Sequence, residues 1–593
     1  MFGRLKVMLR NYFKCFTDAF STLYRIERRP VIVLAAALLL SVPIIPAELL
    51  LVKTLIDRIQ TWTTPDPVGP ILLAAAYLGT LMVVNNIVLG VPVPLAMTRL
   101  NEVGTLEEQR MLMEKTSLLP IASIESPSSK DLRERALQVS LYEIYNTGVQ
   151  VLQMLLQLAL LVIVLLVFNQ WLPVLAVTAS ALLLAYISGK TAKNLESLVR
   201  KQTSVRRLLR HYSELMTERN GAKEIRLFGL GRLLTERWTH LFEKHSDETL
   251  KTVRSSEIRK IGPELLMALL AGLLLALVVL LPGSDNLTAG DFSLLFLALT
   301  MLLSQLPGLI GQIAAMRGQY MKWEDFRAYL ELEEDNSNRS ANFMPAIPLG
   351  SLQLQVRNLG FRYPGVTKET IRGVSFSILP GCRAALVGEN GSGKSTLIKL
   401  LLGFYPPHEG EIIWSHVKDL RLKNTANNDK VSAVFQDFTR LYLTLRENVA
   451  LGRLTAFDQD SLLLNSLKSS GSKFSDLDIQ LGAPFGGIEP SGGEWQKIAT
   501  ARAMLRDADF VLFDEPTAAL DPQAEKEAFE LFLRVTEGRS ALLVTHRLGA
   551  AKMADLIFVM KDGQLVEQGT HDELMQRNGL YSRMFNLQAA WYV

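Results

Sequence analysis

Cysteine is nearly missing from this chain. Cys15 and Cys382 are the two in 593 residues, too few and too far apart for a disulfide framework or a thiolate zinc site. Net charge is equally spare, +4 from 63 Lys and Arg against 59 Asp and Glu, so the basic excess of a nucleic-acid-binding chain is lacking. No small-residue cleavage site follows the basic first thirty residues (Arg4, Lys6, Arg10, Lys14, Arg25, Arg28, Arg29). That stretch is expected to stay as an interfacial amphipathic helix rather than leave as a signal peptide.

Long apolar runs are abundant, and they crowd into the first half. Segments near residues 31 to 55, 70 to 98, 143 to 168, 171 to 189, 262 to 281 and 292 to 316 are each long and apolar enough to span a bilayer. Six transmembrane helices are therefore expected. The connections after the first, third and fifth are short and nearly free of Lys and Arg, as in Asn169-Gln170-Trp171-Leu172-Pro173 and Pro282-Gly283-Ser284-Asp285-Asn286. Those after the second and fourth are long and charged, which places them and both termini on the cytoplasmic side. Their helical periodicity predicts helix pairs that continue into the cytoplasm, with short helices at the tips near Ser126-Pro127-Ser128-Ser129 and Gly221-Ala222-Lys223-Glu224-Ile225-Arg226. Those tips either meet the second half of the chain or are plain solvated hairpins.

Inside the spans, Glu143, Asn146, Gln150, Gln153 and Gln157 share one helical face. Gln305, Gln312 and Gln319 recur every seven residues in the last span. Lipid satisfies none of these side chains, so they either bond between helices or line a hydrophilic pathway. The length of the stripe favours the pathway. Glu48 and Lys53 are expected to pair at the outer rim or to line the same route. Pro43, Pro46, Pro92, Pro94 and Pro307 are positions where the helices are expected to kink.

The region 331 to 350 is acidic, then Asn/Ser-rich, then Pro-bearing, and it reads as a linker. The organisation expected is a basic segment at 1–30, a membrane domain at 31–330, the linker at 331–350 and an α/β domain at 351–593. Gly388-Glu389-Asn390-Gly391-Ser392-Gly393-Lys394-Ser395 follows a strand-like run and opens a helix that begins with Ser395 and Thr396. This is the phosphate-binding loop of a P-loop NTPase, in which backbone N–H groups and a helix N-terminus receive ATP phosphates. Lys394 is expected at the β- and γ-phosphates and Ser395 on Mg²⁺. A lookalike, Ser188-Gly189-Lys190-Thr191, lacks the upstream glycine. The apolar strand before Asp514-Glu515-Pro516 ends in two carboxylates, Asp514 suited to Mg²⁺ and Glu515 to the attacking water. Ser491-Gly492-Gly493-Glu494 opens a further helix and offers a second set of exposed N–H groups.

With these motifs in this order, the chain resembles the ATP-binding cassette (ABC) transporters, and Ser491 to Glu494 is similar to that family's signature motif. The resemblance implies roles for Tyr363 as the adenine-stacking aromatic, Gln436 as the Q-loop residue near water and Mg²⁺, Ala519-Leu520-Asp521 as the D-loop, and His546 as the switch histidine. It also implies that two cassettes pair head to tail, each ATP lying between one phosphate loop and the other chain's Ser491 region. Six spans and one cassette resemble an exporter half-transporter, most simply a homodimer, with a heterodimer as the alternative. Pro490, where the family commonly has Leu, and Ala518, where Ser is frequent, depart from the pattern.

Softer likenesses narrow the type. Phe435-Gln436-Asp437-Phe438, Leu441 to Val449, Glu224 to Gly229 and Leu587-Gln588-Ala589-Ala590-Trp591-Tyr592 are similar to bacterial exporters of lantibiotics and other ribosomally made peptides. The expectation is a peptide exporter of the bacterial cytoplasmic membrane without a leader peptidase. A lipid or hydrophobic-drug exporter and a membrane sensor that moves nothing are the alternatives.

Overall fold

A computed structural model describes residues 2–62, 67–167, 186, 198, 202–280, 288–334, 352–416, 421–422, 430–515 and 522–590. It divides into two compact units, Met1–Ser117 with Pro127–Leu332, and Leu118–Ser126 with Glu333–Val593.

The first unit is helical. Helix α1 (Phe2–Ile26) buries Tyr12, Cys15, Ala19 and Leu23, a 3-4-4 spacing that makes one face. The Tyr12 hydroxyl donates to the Ile144 carbonyl at 2.7 Å, which ties this face to α8 (Leu141–Val167). The first predicted span is two helices, α2 (Arg28–Leu40) and α3 (Ile44–Thr61). Pro43 has no N–H to continue the ladder, and the Ser41 hydroxyl turns back to the Leu38 carbonyl at 2.6 Å. Helices α4 (Gly69–Gly90) and α5 (Pro92–Leu118) follow, with Pro92 opening the second of them. Among the described residues, four helical runs are long and apolar enough to cross a membrane: Arg28–Thr61, Gly69–Leu118, Leu141–Val167 and Ala289–Leu330. The predicted fourth span apart from Tyr186, the Ser188 to Thr191 lookalike, and the Asn169 and Pro282 connections lie outside the described residues.

Short helices do sit where the long loops turn. They are α6 (Ile121–Glu125) and α7 (Pro127–Ala136), then α9 (Thr203–Thr217) and α10 (Arg219–Leu227). Helix α11 (Gly231–Leu280) has 50 residues, a length of about 75 Å at 1.5 Å per residue. That far exceeds the roughly 30 Å of a bilayer core, so the helix is longer than one membrane crossing needs. Helix α12 (Ala289–Leu330) begins with a capping box between Thr288 and Asp291.

The second unit carries two sheets. Strands β1 (Leu352–Phe361), β2 (Ile371–Ile378), β4 (Glu409–His416) and β5 (Arg421–Leu422) form an antiparallel sheet in the order β2-β1-β4-β5. The core sheet is β10-β9-β3-β8-β7-β6, built from β3 (Arg383–Gly388), β6 (Val431–Val434), β7 (Phe510–Asp514), β8 (Ser540–Val544), β9 (Leu556–Lys561) and β10 (Gln564–Gly569). All its pairings are parallel except that of β10. Strands β7 and β8 are buried at every residue, as a parallel sheet covered on both faces requires.

Helix α13 (Lys394–Leu401) packs Leu397, Ile398, Leu400 and Leu401 into the cluster between the two sheets. Helices α14 (Leu445–Ala450), α15 (Asp460–Ser469) and α16 (Gly492–Leu505) share a separate core around Trp495, Ile498 and Leu463. Beyond them lie α17 (Pro522–Val535), α18 (Leu548–Ala551), α19 (His571–Gln576) and α20 (Leu580–Ala589). The short helix α6 belongs to this unit. Ile121 and Ala122 pack on the α13 core, and Glu125 bonds Tyr405 and, at 3.3 Å, Lys399. This contact lies just ahead of the Ser126 to Ser129 position expected from sequence.

Candidate functional site

The strand order β3-β8-β7 with all three parallel brings their C-terminal ends to one edge. Ligands of open α/β sheets bind at that edge. Three chemically distinct segments emerge there: the loop 388–394 from β3, Asp514-Glu515 from β7 and Thr545-His546 from β8.

The loop is shaped by glycines that no other residue replaces. A Cβ on Gly388 would lie 2.3 Å from the Met560 carbonyl oxygen, and Gly393, at φ +103°, would place one 2.9 Å from Ile371. Gly393 is also the residue before the first turn of α13, where Lys394 is buried and Ser395 faces outward. The Lys394 ammonium donates to the carbonyls of Gly388 at 2.9 Å and Glu389 at 3.1 Å, so it lies across the loop. Burial pushes its pKa down, and the charges of Glu515 and Asp514 push it back up. Tyr363 shares a 3.2 Å hydrogen bond with Thr396 and meets Phe361 and Tyr405 edge-on, which sets its ring beside the loop's helix.

Asp514 ends β7 buried, and its Oδ1 has no hydrogen-bond partner among the described residues. Burial raises its pKa to about 6, helped by the negative charges of Glu515 and Asp437 and opposed by Lys394. Glu515 has φ +46°, a left-handed conformation that costs a non-glycine residue about 1 kcal/mol or more. Its N–H donates to the Val544 carbonyl at 2.9 Å, and its Oε2 lies 3.3 Å from His546 Nδ1. The turn thus aims the Glu515 carboxylate at the residue that follows β8. Gln436 is exposed two residues beyond β6, whose Val434 pairs with Phe513. Asp514 offers an orphaned buried carboxylate oxygen, and Ser395 and Gln436 an exposed hydroxyl and an exposed amide oxygen, hard-oxygen donors of the kind that fit Mg²⁺ shared with phosphates.

Asp437 was not singled out as a charge by sequence reasoning. Its signal was the Gln-Asp pair after β6, which places a further carboxylate near Asp514.

Ser491 caps α16 by accepting the Glu494 N–H at 3.3 Å, and Glu494 bonds Ser472 and Lys497. This helix belongs to the Trp495 core rather than to the core beneath α13. Pro490 is buried just before it. Ala518, Ala519, Leu520 and Asp521 lie outside the described residues.

In the helical unit the stripe residues are hydrogen-bonded, both within α8 and to other segments. Gln312 Nε2 donates to Gln150 Oε1 at 3.2 Å, Gln150 to Asn146 at 3.4 Å, and Gln153 to the Ser41 hydroxyl at 2.7 Å. Gln319 bonds Thr147 at 2.9 Å. Gln157 is buried, Glu143 is exposed, and Gln305 Oε1 is buried without a partner among the described residues. Lys53 finds its carboxylates at Asp57, 3.8 Å away, and at Asp291 rather than at Glu48.

The Asp514 environment makes a signed prediction. Between about pH 4 and pH 6 the folded protein holds a proton that the unfolded chain has released, so stability falls as pH rises through this window. Asp514→Asn never acquires the charge. In nucleotide-free protein at pH 8 it is expected to melt about 2–4 °C above the parent, a difference that disappears near pH 4. Thermal shift at a series of pH values measures it.

A family model described as ABC transporter matches residues 371–518. The subtilin transport ATP-binding protein SpaT of Bacillus subtilis is 29% identical over 486 residues, 80% of this chain and 78% of that protein. The ATP-dependent lipid A-core flippase of Pseudomonas savastanoi pv. phaseolicola is 30% identical over 448 residues, 72% of this chain and 70% of the flippase. Among solved structures, a bacterial Atm1-family ABC exporter with ATP bound superposes with a TM-score of 0.77 at 22% identity, over 95% of this chain and 98% of that one.

Proposed function

Because the chain belongs to the ABC transporter family, we propose that two copies of it form an exporter whose cargo is a small peptide. The chain is an ATPase coupled to transport across a membrane. The bacterial cytoplasmic membrane is the proposed location, with the cassette on the cytoplasmic side.

The observation that carries the hydrolytic part is the Glu515–His546 pair at 3.3 Å on the strand edge beside Lys394. ATP draws Lys394 off its two carbonyls onto the β- and γ-phosphates, and Tyr363 turns from Thr396 to the adenine. Glu515 accepts the proton of the attacking water while His546 holds the carboxylate in place. Asp514, Ser395 and Gln436 would hold Mg²⁺, which would supply neutralisation of phosphate charge. Ser491 and Gly493 of the second copy complete the phosphate site with helix N-terminal N–H groups, as their separate core favours. Asp521 joins the same interface.

The route proposed for cassette closure is α6, which packs within the second unit and is joined along the chain to α5 and α7 of the first. Lys394 and Lys399 lie on one short helix, and Lys399 bonds Glu125. Alternating access then follows from population shift, ATP favouring the closed pair and hydrolysis releasing it.

The amides of Gln150, Gln153 and Gln312 support a peptide cargo. The Gln312–Gln150 bond and the Gln153–Ser41 bond exchange for bonds to peptide amides with little net change. A lipid reading also has support, from the 30% identity to the lipid A-core flippase. Stimulated ATPase activity in nanodiscs separates them. Small modified peptides are expected to stimulate saturably, and a Gln150→Leu/Gln312→Leu protein is expected to need about tenfold more peptide for half-stimulation, as losing one or two hydrogen bonds of roughly 1 kcal/mol implies. Stimulation by lipid A or lipophilic dyes alone would replace the peptide assignment with the lipid or drug class.

A further inference from the structure

His546 stands 43% exposed in its side chain, so packing does little to place its ring. The backbone that carries it does more. Thr545 is fixed to β3 through its N–H, which donates to the Leu386 carbonyl at 3.1 Å, and its hydroxyl accepts the Arg547 N–H at 3.0 Å. The next two polar groups of the turn go to one side chain. Gln588 Nε2 donates to the His546 carbonyl at 2.6 Å, and Gln588 Oε1 accepts the Leu548 N–H at 2.9 Å. A single carboxamide therefore brackets the turn on both sides of Arg547. A carboxamide carries a donor and an acceptor on one carbon and so makes both bonds at once, and of Gln and Asn the Gln side chain has the longer reach.

Gln588 is itself held firmly, although it lies five residues from the end of the chain. Helix α20 is anchored at its start by Glu567, whose carboxylate accepts the N–H groups of Leu580 at 2.5 Å and Tyr581 at 3.1 Å. Tyr581 is fully buried in a cluster with Leu548 and Ala551 of α18. The bracket thus joins two packed helices, and its amide is not a freely moving surface group.

We propose that Gln588 is the positioning residue of His546, setting the imidazole against the Glu515 carboxylate through the turn from His546 to Leu548. The proposal rests on the reading of His546 and Glu515 as parts of the hydrolytic site. It gives the last helix of the cassette a part in turnover that lies outside every nucleotide-contacting motif of the sequence. Gln588 acts through the turn it holds, its amide bonded to the His546 carbonyl and the Leu548 N–H.

The test is steady-state ATPase kinetics on the full-length protein in nanodiscs, with parent, Gln588→Ala, Gln588→Glu, His546→Ala and the Gln588→Ala/His546→Ala double variant. Gln588→Ala is expected to lower kcat about tenfold with KM for ATP within about twofold, since a displaced reacting group costs rate rather than binding. Gln588→Glu keeps the acceptor for Leu548 but sets a carboxylate against the His546 carbonyl, and it is expected to be slowed likewise. In the His546→Ala background, Gln588→Ala is expected to cost nothing more, the mark of two residues acting as one unit. A loss that persists undiminished in that background overturns the proposal, as does loss of fluorescent ATP-analogue binding in both single variants, which would make Gln588 a support of the fold. Full activity of Gln588→Ala beside a slowed His546→Ala overturns the positioning role alone. Full activity of His546→Ala overturns the reading of the histidine and the proposal with it.

Discussion

Glu515→Gln is expected to bind ATP as the parent does and to hydrolyse it about 10²–10³-fold more slowly, within the range that a positioned general base contributes. The substitution keeps the shape of the side chain, its 2.9 Å backbone bond to Val544 and the left-handed turn at φ +46°. What it removes is the ability to take a proton from water. The amide still reaches His546, 3.3 Å from the present carboxylate, so nucleotide binding has no reason to weaken. ATP then accumulates in the closed pair, which is read as a cassette dimer that persists on addition of ATP. A second consequence is electrostatic. Glu515 is one of the charges that raise Asp514 to about 6, so its removal lets Asp514 ionise at lower pH. The acid limb of Mg²⁺-dependent ATP binding is expected to move down in the variant. Turnover at the parental rate would assign the base elsewhere.

The residues at the strand edge were legible in the sequence because their chemistry is local. A phosphate loop needs glycines and a lysine at fixed spacing, and Asp514-Glu515 advertises itself by ending an apolar strand. The helical runs were legible for a similar reason, since length and apolarity are summed along the chain. Information held between distant segments was not legible. Lys53 pairs with Asp291, 238 residues away, and the spacing of charges in one helix says nothing of that. The glutamine stripe was visible as a helical face, but its partners Ser41 and Gln312 come from other parts of the chain, the turn between α2 and α3 and the helix α12. The contact helix at the first tip came out at Ile121–Glu125, just before the Ser-Pro-Ser-Ser that drew attention. Ile121 and Ala122 enter the core, and two ordinary apolar residues carry no pattern that a short tip can display. Asp437 escaped for the same reason, since its influence on Asp514 passes between neighbouring strands rather than along one.

Lys394→Ala is expected to abolish ATP-dependent turnover, with kcat/KM lowered at least about 10³-fold, because phosphoryl transfer depends almost wholly on positioning and charge stabilisation. The buried ammonium has two functions that fail together. In the nucleotide-free protein it satisfies the carbonyls of Gly388 and Glu389 at 2.9 and 3.1 Å, and its charge opposes the raised pKa of Asp514. Without it, Asp514 and Glu515 share a low-dielectric edge with no compensating charge, so Asp514 is expected to keep its proton to higher pH than about 6. Incoming phosphates then meet negative charge where they now meet positive. Lys394→Arg tests geometry separately from charge. The guanidinium is planar and larger than an ammonium, and Lys394 is buried at 6% exposure inside a loop closed by Met560 and Ile371, so the arginine variant is expected to recover little of the lost rate. Fluorescent ATP-analogue binding at pH 6 and pH 8 distinguishes the two contributions. If the ammonium acts chiefly on phosphate, Lys394→Ala binds weakly at both pH values. If it acts chiefly by restraining the carboxylates, binding recovers at pH 6, where Asp514 carries its proton.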